Sequence, residues 1–207
     1  IFAEDAAGIG IEGTGTIDGR GDSFPNEGDP DKNRPMLIRL LRCRGIRVRD
    51  ITLVRPAAWT SAWLYCDDIV VDGITIQSRA NGNGDGLDFD GCRNVRVSNS
   101  SFDTSDDSIC LQSSQVDAPV DGVTITNCIF ESRWAGLRIG LLAVGDIRHV
   151  TVTGCVFRSI RDSGIKIQAG EGGELSHMVF ADLVMHGVPR PVFATLCDIQ
   201  ACVDRPD

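Results

Sequence analysis

Val123-Thr124-Ile125-Thr126-Asn127-Cys128-Ile129-Phe130 and Val150-Thr151-Val152-Thr153-Gly154-Cys155-Val156-Phe157 carry one pattern: apolar, any, apolar, two of any kind, apolar, any, apolar. It returns at Ile46-Val48-Ile51-Leu53, Ile69-Val71-Ile74-Ile76, Val95-Val97-Ser100-Phe102 and Met178-Phe180-Leu183-Met185, with a weaker copy at Ile9-Ile11. The first positions of the six full copies are separated by 23, 26, 28, 27 and 28 residues. Within a copy the period is two, then a two-residue shift, then two again, which describes a strand, a bend and a second strand and excludes helix there. One such unit cannot bury its apolar row alone. Coils of about 25 residues stacked at the roughly 4.8 Å strand spacing bury a continuous core. The sequence therefore predicts an all-β fold, a single-stranded parallel β-helix (a solenoid) of about 7 coils. Residues 1–207 are expected to form one β-helix domain within a longer chain, with a loop insertion at 22–35 between the weak first copy and the rest. No basic-apolar-small leader stands before Ile1, so the compartment has to be read from other features.

Composition agrees. The 207 residues contain 23 Asp against 6 Glu, 18 Arg against 2 Lys, and 23 Gly. Glu and Lys favour helix whereas Asp and Gly favour turns, so the balance points to strands and bends. Hydrophobic residues make up 42%, which excludes a disordered chain, and no run of 18 apolar residues occurs to span a membrane. The formal charge of −9 argues against general nucleic-acid binding, which needs a basic face. Eight cysteines (43, 66, 92, 110, 128, 155, 197, 202) show no CxxC pair, so no metal site is expected from them. Their spacing follows the repeat, which predicts buried stacked thiols, with Cys197 and Cys202 as the one plausible local disulfide.

A further strand closes each coil, and its copies align as Gly86-Leu87-Asp88-Phe89, Ser108-Ile109-Cys110-Leu111, Gly136-Leu137-Arg138-Ile139 and Gly164-Ile165-Lys166-Ile167. Leu87, Ile109, Leu137 and Ile165 then form one inward ladder; Phe89, Leu111, Ile139 and Ile167 form the next. The outward row between them reads Asp88, Cys110, Arg138, Lys166. Just before these strands stand Asp85 and the pair Asp106-Asp107, on adjacent coils. One coil of sequence is one strand of distance, so the three acids converge. Carboxylates sharing a groove repel, and at least one retains a proton near neutral pH. Glycosidic hydrolysis uses such a set: a protonated acid for the leaving oxygen and an ionised base for water, about 6.5–9.5 Å apart when configuration inverts. The same aspartates could instead cap bends through Asx-turn hydrogen bonds. Trp59 and Trp63 come on the coil before Asp85, where an indole either stacks on a sugar ring or fills the core. His149, His177 and His186 fall outside the groove rows and read as surface or turn residues.

Asn83-Gly84-Asp85-Gly86-Leu87-Asp88, then Cys92-Arg93-Asn94-Val95, then Phe102-Asp103-Thr104-Ser105-Asp106-Asp107-Ser108-Ile109-Cys110-Leu111 closely resemble the polygalacturonase family, glycoside hydrolase family 28. Further matches are Gly13-Thr14-Gly15-Thr16-Ile17-Asp18-Gly19-Arg20-Gly21, Arg34-Pro35-Met36-Leu37-Ile38 and Pro56-Ala57-Ala58-Trp59, so the likeness runs over roughly residues 9 to 195. The resemblance implies a right-handed β-helix, secreted or periplasmic, that hydrolyses galacturonide or related bonds of pectin with inversion, without a cofactor. It implies Asp106 as general acid and Asp85 with Asp107 as holders of the attacking water. Asn83, Asp88, Arg138, Lys166, Gln168, Trp59 and Trp63 are the candidate substrate-binding residues. Two family signatures depart. Gly-His-Gly falls at Trp134-Ala135-Gly136, which replaces the histidine by Ala135. Arg-Ile-Lys falls at Lys166-Ile167-Gln168, which reduces the arginine to Lys and loses the lysine.

The expected compensation is Arg138, whose guanidinium can bind a carboxylate in bidentate fashion. Three functions follow as alternatives. The first is an inverting glycoside hydrolase on a pectin-like, uronate-containing polysaccharide. The second is a calcium-dependent polysaccharide lyase, with the three acids as oxygen ligands and Arg138 or Lys166 as base. The third is a catalytically decayed carbohydrate-binding β-helix. In each the partner is a polysaccharide or oligosaccharide, with no nucleic acid and no membrane, and a monomer is expected.

Overall fold

The computed structural model describes residues 1–25 and 34–196, the side chain of Leu141 excepted. Three strands make one level of a right-handed parallel β-solenoid. The described strands stack into one sheet of eight and two of seven, each joining strands that lie three elements apart in the chain. The level at the centre runs Leu87–Asp90, Arg93–Ser98 and Ser101–Thr104, and every pairing between levels is parallel. The loop expected at 22–35 is described only at its ends, where Gly21–Ser23 form a short 3-10 turn. The expected Cys197–Cys202 disulfide lies outside the described residues.

The bend within each copy has a backbone cause. Asp50, Gly73, Asn99, Asn127, Gly154 and Asp182 occupy the same corner on successive levels, all with φ between +52° and +67°. Gly, Asn and Asp visit this region at the lowest cost, which suits them to this corner. Side chains tie the corner along the stack: Asn99 Nδ2 donates to Asp72 Oδ1 at 2.8 Å.

Both inward ladders have the expected register. Leu87, Ile109, Leu137 and Ile165 pair in sequence, as do Phe89, Leu111, Ile139 and Ile167, and all but the half-buried Ile167 are fully buried. Opposite them Phe102, Phe130 and Phe157 stack with ring centroids 5.1 and 4.7 Å apart. Cys43, Cys66, Cys92, Cys110, Cys128 and Cys155 are free thiols and all buried. Cys43 N approaches Cys66 Sγ at 3.4 Å, one level on, so the repeat does stack its cysteines.

Trp63 settles one open choice. It is 1% exposed, pairs with Phe89, and packs against that ring at 5.5 Å, so it belongs to the core and is withdrawn from the substrate-binding set. Its indole N–H is satisfied inside by Ser61 Oγ at 2.7 Å, as a buried Trp requires. Trp59, which lies two residues before the strand Ser61–Leu64, is half-buried beside a surface cleft lined also by Phe2, Arg34 and Arg39.

Candidate active site

The site lies on the eight-stranded sheet, at the bends that feed its strands. Asp85 comes two residues before Leu87 and Asp107 two before Ile109; Leu87 and Ile109 are paired, which sets the two acids at matching places on adjacent levels. Trp59 holds that place one level earlier, and Ala135 and Ser163 on the two levels after. The bend at Asp85 is tight. A Cβ on Gly86 would stand 2.2 Å from the Ser108 carbonyl oxygen, so glycine is required where the two levels touch. Asn83 sits at φ 54° and its Oδ1 accepts from Arg34 Nη2 at 2.9 Å, while Arg34 Nη1 donates to the Gly82 carbonyl at 2.7 Å. Asn83, expected to bind substrate, is thus anchored by Arg34 and shapes the loop that presents Asp85. Ser105 Oγ accepts from Gly84 N at 3.0 Å and joins this loop to the Asp106-Asp107 loop.

One carboxylate oxygen from each of Asp85, Asp106 and Asp107 lies within 4.8 Å of the others. Asp85 and Asp107 are buried and Asp106 is half-buried, so Asp106 is the one best open to a ligand. Asp106 also accepts from the Asp107 backbone N–H at 3.0 Å, a local bond of the kind expected from a bend residue. Asp107 Oδ1 accepts from Ala135 N at 3.3 Å, and Asp107 Oδ2 stands 3.6 Å from Arg138 Nη1.

All three carboxyls are pushed above the ordinary carboxylate range, first of all by burial. For Asp85 the charges of Asp88, Asp106 and Asp107 add to that rise. Asp107 reaches about 7, with Arg138 pulling it back. Asp106 is raised less, because the Asp107 N–H, Arg138 and Lys166 favour its anion. Asp88, fully enclosed, is raised by burial and by Asp107 and Asp106. A raised carboxyl binds its proton more tightly folded than unfolded. Its stabilising share is complete below about pH 4 and is lost as pH rises through the folded value, near 7 for Asp107. The expected result is a melting temperature higher at pH 5 than at pH 8, on the order of 5 °C. Asp107→Asn should flatten the difference. The depressed acids Asp5 and Asp18, which are exposed, and Asp72 and Asp121, which are half-buried, act in the other sense, but solvent screens them and their effect is weak. A melting temperature that climbs from pH 5 to pH 8 would contradict the buried acid cluster.

Asp88, Cys110, Arg138 and Lys166 pair in register as the expected outward row, yet none is more than 8% exposed. The row is a covered floor rather than an open face. The two cations are engaged within the protein. Arg138 Nη2 donates to Gln168 Oε1 at 3.0 Å and Nη1 faces Asp107, so its fork grips two side chains of the site. The expected bidentate hold of Arg138 on a substrate carboxylate would have to compete with these two contacts. Lys166 Nζ donates to Asp162 Oδ2 at 3.1 Å and lies 4.5 Å from the centre of the Trp134 ring. Asp162 also takes the Arg190 guanidinium. Sequence reasoning missed Asp162, Trp134 and Arg39 as parts of this surface. Asp162 stands four residues before Lys166 and Trp134 directly before Ala135, but neither spacing by itself announces the contact. His149 is tied to Asp121 on another sheet, in keeping with a surface role.

The family model for glycosyl hydrolases family 28 matches residues 1–202, and the chain belongs to that family. Among curated relatives it is 28% identical to an exopolygalacturonase of Platanus acerifolia over 200 residues, 89% of this chain and 51% of that protein. It is 24% identical to a polygalacturonase of Persea americana over 204 residues, covering 93% of this chain and 43% of that one. The chain spans about half the length of the curated relatives it matches. A polygalacturonase from Erwinia carotovora ssp. carotovora superposes with a TM-score of 0.80 at 20% identity, over 95% of this chain and 57% of that one. A family 28 exopolygalacturonase from Yersinia enterocolitica does so with 0.76 at 20%, over 90% and 42%. These superpositions show the shared solenoid.

Proposed function

We propose that this chain carries the catalytic groove of an inverting glycoside hydrolase, secreted or periplasmic, that acts on a pectin-like, uronate-containing polysaccharide. The convergence of Asp85, Asp106 and Asp107 to within 4.8 Å carries the reading. Asp106, the accessible acid, donates its proton to the leaving glycosidic oxygen; Asp85 and Asp107 hold and deprotonate the water that attacks the anomeric carbon. Burial raises all three carboxyls, Asp107 to about 7, so the set keeps a proton near neutral pH, while Arg138 favours the anions of Asp106 and Asp107; the division of roles follows from the accessibility of Asp106. The oxygens are closer than the roughly 6.5–9.5 Å usual for an inverting pair. Three acids share the work here, so the water is held between two of them rather than opposite one. Trp59 and the exposed Arg39 supply an indole and a guanidinium one and two levels before Asp85, a surface suited to a uronate unit.

The same three oxygens would suit a calcium ion, which keeps the lyase as the second reading. Incubation with a panel of pectic oligosaccharides separates the two. New reducing ends without ultraviolet-absorbing products, unchanged by chelator, are expected. Loss of activity in chelator, restored by calcium with an unsaturated product, would replace the hydrolase by the lyase.

A further inference from the structure

The end of the groove beyond the acids is aromatic rather than cationic. The Arg138 and Lys166 side chains are only 9% and 11% exposed, and both are held by carboxylates. Trp134, by contrast, is 42% exposed, a large apolar surface left open beside the site. Its backbone is fixed: its backbone N–H donates to Ser132 Oγ at 2.8 Å, its carbonyl accepts from Asp162 N at 3.0 Å, and the backbone N–H of the next residue, Ala135, donates to Asp107. Beneath the indole lies the Lys166 ammonium, with the Phe193 ring 5.9 Å from it on the adjacent strand. The cation is therefore spent on Trp134, Phe193 and Asp162 and is covered by them. Each cation of this neighbourhood already has a carboxylate of the protein: Arg138 faces Asp107, and Lys166 and Arg190 share Asp162. A further carboxylate would gain little attraction there. A sugar ring without one meets an indole face, which accepts its C–H surface without a charge requirement.

We infer that Trp134 is a stacking platform for a neutral sugar unit, bound on the side of the cleaved bond away from Trp59. The substrate is then a mixed polysaccharide in which uronate and neutral units both occur. This rests on the hydrolase reading for the cleaved bond, but the platform is tested by binding alone. The test uses the whole protein bearing Asp106→Asn, which removes most turnover, and two ligands of equal length and linkage: a galacturonate oligomer and its carboxyl-reduced counterpart. Arg39 adds to the affinity of the acidic oligomer at the far end of the groove, so the readout is the change that each Trp134 variant makes to the binding of each ligand, followed by calorimetry. Trp134→Ala should weaken the reduced oligomer about three- to tenfold, and Trp134→Phe should retain most of the affinity. Both variants should keep the parent melting temperature within about 2 °C, since the ring is surface-borne. A larger loss for the galacturonate oligomer than for the reduced one on Trp134→Ala, or no change for the reduced one, would overturn the platform. Failure of the parent protein to cleave any oligosaccharide would strike the hydrolase reading and leave the binding comparison to decide this one.

Discussion

Asp106→Asn should keep the solenoid and remove most turnover, a loss of about 10² to 10⁴ in kcat, the range of general acid catalysis. The fold is expected to survive because Asp106 serves it mainly through its backbone: its carbonyl accepts Thr104 Oγ1 and Ser132 Oγ, both at 2.6 Å, and Asn keeps both. The amide can also still accept from Asp107 N. What Asn cannot do is hand a proton to the leaving oxygen. The loss should therefore fall on kcat more than on KM. A substrate whose leaving group needs no proton should recover part of the rate. Unchanged turnover in this variant would return Asp106 to the duty of a bend residue.

Phe130→Ala should cost about 3–5 kcal/mol of stability, the usual range for removing a fully buried phenylalanine. The ring is 0% exposed and stacks on Phe102 and Phe157, so the void opens between two rigid neighbours on fixed strands and cannot easily collapse. Each level of a solenoid touches only the next, so hydrogen-exchange protection should fall most in the strands Ser101–Thr104, Ile129–Ser132 and Val156–Ile160. Val179→Ala on the exposed side is the matched control, with a change within about 0.5 kcal/mol. A Phe130→Ala loss no larger than that of the control would contradict the stacked core.

The solenoid was legible because stacking forces corresponding residues of successive coils into one environment, so the apolar rows repeat in sequence. The adjacency of Asp85 to Asp106 and Asp107 follows from the same rule, being one coil of sequence. Trp63 could have been assigned from it too. The ladder that contains Phe89 and Leu111 extends back one level to Trp63, whereas Trp59 lies in the preceding bend where strand alternation does not apply. What stayed hidden was the pairing of the cations. Arg138 faces outward by register, but whether its fork meets substrate or protein depends on Asp107 and Gln168 arriving from the levels on either side. Lys166 is likewise decided by Asp162 and Trp134, which come from bends whose path the periodicity does not fix.

The stereochemistry of the first product tests the three-acid groove most directly. Proton magnetic resonance during the opening minutes of oligosaccharide cleavage, before mutarotation, reports the configuration at the new reducing end. Water delivered by Asp85 and Asp107 while Asp106 protonates the leaving oxygen predicts a first-formed anomer opposite to that of the bond cleaved, with no unsaturated sugar. A first product that retains configuration, or one bearing a double bond, would contradict that division of labour among the three aspartates.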